Sequence, residues 1–276
     1  MGVNRRLFLV AASCLTAFSP TAPAQVDEDE AARNARWSVL QGAIFGDRKV
    51  EDGTGVIELE APPRALDAAL VPLTVSIVGR QPVKSVYLVI DNNPGPLAGR
   101  FTFGPAADPR TLKVRMRVNQ YTDIHAVAEG ADGRLYSVKK FVKAAGGCSA
   151  PVGSGDAKAL QGLGQMRLKL LDGYAPGKPS QAQLMIRHPQ FNGMQMDQIT
   201  RNYTMPHFIK TIDVSHAGQA VLRVESDIAL STDPVITFGF VPRAEGPLKV
   251  VVRDSGNMNF ERSFEVPVSD AVSRSD

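Results

Sequence analysis

Residues 124–142 read IHAVAEGADGRLYSVKKFV and contain a clear hairpin signal. Two runs with strand character, residues 124–128 and 135–142, flank Asp132-Gly133. This dipeptide is typical of tight turns between antiparallel strands, because both of its residues accept the backbone conformation that such turns require. The segment therefore predicts an antiparallel sheet at the centre of the chain.

Short runs with strand character recur on both sides of this hairpin. They are residues 54–60, 71–78, 83–90, 97–103 and 112–118 before it, and 165–171, 180–187, 208–214, 219–225, 235–240, 248–253 and 260–266 after it. An acidic start at residues 27–30 and apolar positions through Ile44 predict a short N-terminal helix that Gly46 ends. Short strands at this spacing predict an all-β fold with two immunoglobulin-like antiparallel β-sandwich domains, residues 25–142 and 165–276.

A segment without apolar periodicity separates the two predicted domains. Residues 143–164 read KAAGGCSAPVGSGDAKALQGLG, a composition that is typical of a flexible linker. We expect Gly146 and Gly147 to make this arm flexible and Cys148 to lie exposed on it. No basic residue lies within three positions of Cys148, so the arm itself is expected to do little to lower the pKa of the thiol.

The N-terminus has the features of an export signal. Residues 1–24 combine Arg5 and Arg6, a short apolar run and an Ala-x-Ala site that predicts cleavage after Ala24, and hence a periplasmic protein. The apolar run is too short to span a membrane. Arg5-Arg6 followed by Leu-Phe-Leu resembles the twin-arginine signal, with an ordinary Sec signal as the alternative. Lipid anchoring at Cys14 is disfavoured by the residues around it.

Cleavage would change both the charge and the cysteine content. The signal contains Arg5 and Arg6 and no acidic residue, so the net charge falls from +3 to +1. Electrostatics therefore do not favour nucleic acid or membrane as a partner. Loss of Cys14 leaves Cys148 as the only cysteine. A single cysteine in an exported protein indicates a reactive thiol or an intermolecular disulfide, here a disulfide-linked homodimer through Cys148.

The other polar residues do not predict a catalytic or metal site. The histidines have no metal-ligand spacing, and no second cysteine could complete a zinc site; they are His125, His188, His207 and His216. For His188-Pro189 we favour a structural role in a strand-to-loop turn. Methionines near His188 and His207 would suit copper, but packing is the favoured role. No cofactor is predicted.

Two sets of motifs resemble the two subunits of a bacterial sulfur carrier. Residues 90–96 (IDNNPGP), the hairpin and Gly146-Gly147-Cys148 resemble SoxY, the sulfur-carrier subunit of thiosulfate oxidation. Residues 184–189 (LMIRHP) and 233–238 (DPVITF) resemble SoxZ, its partner subunit. SoxY chains end in Gly-Gly-Cys-Gly-Gly, whereas here Ser149-Ala150 follow the cysteine and the chain continues. The order of the motifs is that of fused SoxYZ-like carriers associated with quinoprotein dehydrogenases.

This resemblance implies a carrier that is not itself an enzyme. Cys148 would bind a sulfur species or another small substrate covalently, and the arm would present it to periplasmic partners. Those partners would be Sox-type or quinoprotein dehydrogenase systems and their cytochromes. A second hypothesis is a non-covalent adaptor for a quinoprotein dehydrogenase or its cytochrome, in which the cysteine is incidental. A redox protein or thiol-dependent enzyme ranks last, because the sequence shows neither a resolving cysteine nor a base.

Overall fold

The computed structural model describes residues 28–151, 159–172, 174–197 and 200–266. The predicted export signal with Cys14 lies outside these residues, as do residues 152–158 of the predicted arm. Helix α1 spans Glu30–Phe45. The first half of the chain then forms β1 (Val50–Asp52), β2 (Ile57–Glu60), β3 (Val71–Ile77), β4 (Val83–Ile90), β5 (Leu97–Phe103), β6 (Ala107–Met116), β7 (Thr122–Gly130) and β8 (Leu135–Val142). The second half forms β9 (Met166–Leu170), β10 (Ser180–Ile186), β11 (Ile209–His216), β12 (Gln219–Ser226), β13 (Val235–Phe240), β14 (Leu248–Asp254) and β15 (Asn259–Phe264).

Helix α1 begins and ends where the sequence predicts. The side chain of Asp29 accepts a hydrogen bond from Ala32 N at 2.7 Å, which satisfies one of the free N–H groups of the first turn. Gly46 has φ 63° and ends the helix by donating its N–H to Gly42 O. One face of α1 covers the sheet, where the ring of Phe45 lies 5.2 Å from that of Tyr87.

The strands form two sheets that face each other across one core. The nine-stranded sheet has the order β1-β8-β7-β4-β5-β12-β11-β14-β15, and the six-stranded sheet has the order β2-β3-β6-β13-β10-β9. Strand pairs are antiparallel except β1 with β8. In β10 the inward and outward positions alternate, as one buried face requires. In β7 every residue is buried, because α1 covers the face that does not contact the second sheet.

The two halves are joined edge to edge in both sheets. Strand β5 pairs with β12, which places Phe101 opposite Val224. Strand β6 pairs with β13, which places Leu112 opposite Phe238. All four side chains are buried and belong to a single hydrophobic cluster that extends through both halves. Burial of each phenylalanine contributes about 2–3 kcal/mol to this junction.

The predicted all-β class, the antiparallel sandwich arrangement and the short N-terminal helix are confirmed. The prediction of two sandwiches joined by a flexible linker leaves open whether the two halves pack within one chain or swap between two chains. Hydrogen bonds between β5 and β12 and between β6 and β13 join them within one chain. The sequence could not show this junction, because strand pairing between distant segments leaves no local pattern. Among the described helices, none is long and apolar enough to cross a membrane.

Candidate functional site at Cys148

The segment after β8 folds back onto the end of β6 instead of extending away from the protein. Gly146 N donates to Asn119 O at 2.8 Å, and Gly147 N donates to Val118 O at 3.0 Å. Ser149 N donates to Gly146 O, which closes a turn over residues 146–149. We call these four residues the cysteine turn. Cys148, which the sequence predicts to be exposed, is 0% exposed within it.

The two glycines of the cysteine turn meet two different requirements, close packing at Gly147 and a positive φ at Gly146. A Cβ atom on Gly147 would lie 2.0 Å from Ala68 O and 2.5 Å from Val118 O, well inside van der Waals contact. Gly146 has φ 75°, a backbone conformation that other residues adopt at a cost. The structure thus assigns Gly147 a packing role and Gly146 a role in the turn conformation, neither of which the sequence predicts. Their contribution to arm flexibility stays a prediction.

A buried arginine lies beneath the cysteine turn. Arg117 follows β6 directly and is 1% exposed. Its Nη1 donates to Gly147 O at 3.1 Å, and its Nη2 donates to Thr232 Oγ1 at 2.6 Å. Its Nε is buried and has no hydrogen-bond partner. The alternation in β6 predicts exposed arginines along this strand, so the burial of Arg117 could not be read from the sequence.

The second half of the chain contacts the cysteine turn through the loop that follows β10. Asn192 Nδ2 donates to Cys148 O at 2.7 Å. The Asn192 side chain is oriented by Met194 N, which donates to its Oδ1 at 3.0 Å. Thr232, the partner of Arg117, in turn donates to Pro189 O at 3.0 Å. Both halves therefore contribute to the site, and sequence reasoning missed Arg117, Asn192 and Thr232 because none stands in a recognisable motif.

Burial controls the chemistry of the sulfur. It raises the pKa of Cys148 from 9.0 to about 11, while the positive charge of Arg117 acts in the opposite direction. Since each pKa unit above the solution pH lowers the ionised fraction tenfold, only about one thiol in ten thousand is ionised at pH 7. The thiolate is the nucleophilic form. The closed turn therefore protects the sulfur from reaction.

Comparison with protein families identifies both halves. The model of the sulfur oxidation protein SoxY matches residues 41–148, and that of the sulphur oxidation protein SoxZ matches residues 168–265. The chain has a fused SoxYZ-like architecture. The SoxY match ends at Cys148 itself. The site of this SoxYZ-like protein thus lies where its SoxY half ends and its SoxZ half contacts it.

Solved structures with similarity to the SoxYZ-like chain were also found. The sulfur carrier protein SoxY from Chlorobium limicola f thiosulfatophilum has 24% identity and a TM-score of 0.36, and the match covers 41% of this chain and 96% of that one. A β-glucuronidase from Parabacteroides merdae has 13% identity and a TM-score of 0.24, with 77% of this chain and 24% of that one covered. A β-glycosidase from Bacteroides vulgatus has 9% identity and a TM-score of 0.25, with 76% and 24% covered. Among curated proteins, no match was found.

Two of the four histidines of the SoxYZ-like protein meet near this loop. His207 Nε2 lies 2.7 Å from Asp254 Oδ2, and His188 Nε2 lies 3.6 Å from the same oxygen. His188 Nδ1 accepts a hydrogen bond from Gln190 N, so the neutral ring carries its proton on Nε2. Burial lowers the pKa of His188 to about 4. In this form Nε2 has no lone pair for a metal ion, and the cluster supports the loop that contains Asn192.

A second buried cluster, of polar and aromatic side chains, connects α1 to the nine-stranded sheet. Asp123 lies 3.1 Å from Arg33 Nε and 3.7 Å from Lys139 Nζ. His125 Nε2 lies 3.3 Å from a carboxylate oxygen of Asp91. The ring of Trp37 stacks on His125 at 3.6 Å between centroids. A cavity of about 780 Å³ opens beside these two rings, and Cys148 does not line it.

Proposed function

We propose that this SoxYZ-like protein carries a small sulfur species or another small substrate covalently on Cys148 and presents it to partner enzymes. The observation that supports this most directly is the position of the thiol. The SoxY match ends at Cys148, and both halves of the chain contribute contacts that enclose it. The chemistry itself would be done by the partners, as is expected of a carrier.

The geometry implies a closed and an open state of the cysteine turn. In the closed state the thiol is buried and protonated. Opening breaks the hydrogen bonds from Asn192 to Cys148 O and from Arg117 to Gly147 O. A hydrogen bond contributes about 0.5–1.5 kcal/mol net, and one to a charged group about 1.5–3 kcal/mol, so opening costs a few kcal/mol. Contacts with a partner enzyme can supply that amount.

Loading the sulfur requires an electron acceptor. When the Cys148 thiol and a second thiol-type sulfur form an S–S bond, two S–H bonds break, and two protons and two electrons leave. The electrons would pass to a partner cytochrome, and the same oxidation between two copies would give a disulfide-linked homodimer as a resting form. We place these events in the periplasm, on the basis of the Arg5-Arg6 signal, which would use the twin-arginine route. Sox-type or quinoprotein dehydrogenase systems would be the partners.

The burial of Cys148 supports a second candidate function. A thiol that is 0% exposed and has a pKa of about 11 is also what an incidental cysteine would show. The protein would then be a non-covalent adaptor that docks to a quinoprotein dehydrogenase or its cytochrome. In that case substitution of Cys148 would leave its activity unchanged.

Intact-mass analysis of the protein isolated from its native periplasm separates the two functions. The wild-type chain is compared with Cys148→Ser, each with and without a thiol reductant. We expect the wild-type chain to show added mass that the reductant removes and that the variant lacks. An unmodified thiol, together with full in vivo activity of Cys148→Ser, would instead establish the adaptor.

A further inference from the structure

Arg117 is a buried cation that forms no ion pair with any of the residues the structure describes. Its two described hydrogen bonds go to a carbonyl and a hydroxyl oxygen, and its Nε has none. Within the described residues no carboxylate forms an ion pair with it, and Asp67 acts on it only at longer range. A buried charge costs several kcal/mol unless it is paired. The closed turn therefore leaves a positive charge that an anion would compensate.

We propose that Arg117 binds the negatively charged end of the group carried on Cys148, so that Arg117 makes the site hold anionic cargo better than neutral cargo. This rests on the proposed carrier role of Cys148. A guanidinium group has five N–H donors in a planar arrangement that suits the oxygens of an oxyanion. Arg117 donates a hydrogen bond to the carbonyl oxygen of Gly147, the residue before Cys148, and its Nε is buried without a hydrogen-bond partner.

The thiol itself does not supply the missing charge. With a pKa of about 11, Cys148 stays protonated in the closed turn at neutral pH. A sulfonate group is a strong acid and stays ionised there. Carried on Sγ, it enlarges the side chain of Cys148, so the cysteine turn has to lift. Lifting frees Arg117 Nη1 from Gly147 O, and that donor together with Nε becomes available to the cargo.

The test compares an anionic and a neutral adduct of the same sulfur, prepared on the unfolded chain before refolding. For the anionic adduct, the Cys148 thiolate attacks the central S–S bond of tetrathionate. A new S–S bond forms and thiosulfate leaves with the electron pair. Sulfite then displaces a second thiosulfate, which leaves an S-sulfonate on Cys148. For the neutral adduct, the thiolate attacks methyl methanethiosulfonate, an S-methylthio group is transferred, and methanesulfinate leaves.

The readout is protection of each adduct from dithiothreitol. Protection is the rate of cargo release in denaturant divided by the rate in buffer, which removes the intrinsic difference between the adducts. A charged hydrogen bond of about 1.5–3 kcal/mol corresponds to about a 10-fold or larger effect. We expect the wild-type chain to protect the sulfonate at least about 10-fold better than the methylthio group, and Arg117→Met to lose this preference.

Two further variants make the result specific to the position of the charge. Arg115→Met removes an equal charge from an exposed position of β6, two residues before Arg117, and should keep the preference. Arg117→Lys should keep part of it. Equal protection of both adducts in the wild-type chain, or an unchanged preference in Arg117→Met, would overturn the proposal. If Arg117→Met does not refold, the proposal is still tested by the comparison of the two adducts in the wild-type chain and by the reduced preference expected of Arg117→Lys.

This test is independent of whether the protein carries cargo in vivo, because both adducts are made in vitro. Absence of a native adduct with a sulfonate preference intact would defeat the carrier function alone. A native adduct on Cys148 without that preference would defeat the role of Arg117 alone.

Discussion

Two buried polar sites in the first half of the chain are built in opposite ways. At the α1 site, Asp123 lies close to Arg33 and Lys139, so opposite charges meet. At the cysteine turn, the described hydrogen bonds of Arg117 go to neutral oxygens, and the neighbouring thiol is neutral as well. Both sites are enclosed by the fold, but among the described residues only Asp123 at the first site has an ion-pair partner of permanent opposite charge.

This difference separates a structural site from one that is adapted to change. In the α1 cluster the charge of Asp123 is already paired, and breaking these ion pairs would leave a buried charge without a partner. The cysteine turn is closed across its surface by hydrogen bonds to Cys148 O and Gly147 O. It can therefore open at a cost of a few kcal/mol, and the proposed anion would neutralise the charge of Arg117. Each of the following predictions tests one side of this contrast.

The largest effect is expected from Gly147→Ala. The added Cβ would lie 2.0 Å from Ala68 O, and because this contact is with backbone, the turn has to leave its place. We expect a destabilisation of about 3 kcal/mol in urea unfolding. Alkylation of Cys148 by iodoacetamide should accelerate about 100-fold.

Gly146→Ala provides the matched control. Its nearest neighbour would be Ser149 Oγ at 3.8 Å, so only the positive φ carries a cost, of about 1–2 kcal/mol. Equal alkylation rates for the two variants would show that the cysteine turn is not closed by packing at Gly147.

A pH dependence tests whether the thiol is buried in its neutral form. The folded chain keeps the Cys148 proton up to a pKa of about 11, against 9.0 without burial. Its stabilising contribution is thus complete below pH 9 and is lost as the pH rises toward 11, by between about 2 and 3 kcal/mol. Urea unfolding of the wild-type chain at both ends of this range measures the loss.

The same measurement on Cys148→Ala removes the contribution of the thiol and keeps all other titrating groups. The variant should lose less stability over this range than the wild-type chain. Parallel pH profiles would mean that Cys148 is as accessible to solvent as in the unfolded chain, and the closed state would have to be abandoned.

The two arginines should respond differently to the same substitution. Arg33→Met removes the closer of the two described ion-pair partners of buried Asp123, and we expect a loss of about 2 kcal/mol. Arg117→Met removes a buried charge that has no ion-pair partner among the described residues. The desolvation cost that this relieves offsets the lost hydrogen bonds to Gly147 O and Thr232 Oγ1, so the free energy of unfolding should change by less than about 0.5 kcal/mol or increase. Chemical unfolding of the cargo-free variants measures both. A larger loss for Arg117→Met would contradict the contrast.

The smallest effect concerns the contact from the SoxZ half. Asn192→Ala removes the hydrogen bond to Cys148 O, worth about 1 kcal/mol. The alkylation rate of Cys148 should rise about fivefold. Asn202→Ala, at an exposed position of the same half, should leave the rate unchanged. If both variants react like the wild-type chain, the SoxZ half has no part in closing the site.

The strands were predictable because their signal is local. Alternation in residues 180–187 predicts β10, and the Asp132-Gly133 turn predicts the pairing of β7 with β8. Helix α1 follows from an acidic start and a terminal glycine. Such patterns do not specify which edges meet, so the pairing of β5 with β12 was not predictable.

The cysteine itself was predictable as the centre of the site, but its environment was not. A run of small residues around Gly146-Gly147-Cys148 has the composition of a flexible linker, and the same small residues permit close packing. The contacts that decide between the two come from Arg117, 30 residues from Gly147, and from Asn192, 44 residues from Cys148. No local sequence pattern around Arg117 or Asn192 predicts a contact with the cysteine turn.

The edge-to-edge junction of the two halves has a consequence for synthesis. Until the second half has been translated, β5 and β6 present unpaired backbone N–H and C=O groups along two neighbouring edges. At usual translation rates this exposure lasts on the order of ten seconds. Open edges of this kind recruit strands from other molecules and favour aggregation. Production of the first half alone should therefore yield an aggregation-prone protein. Fusion in one chain supplies β12 and β13, which cover these edges, in a one-to-one ratio.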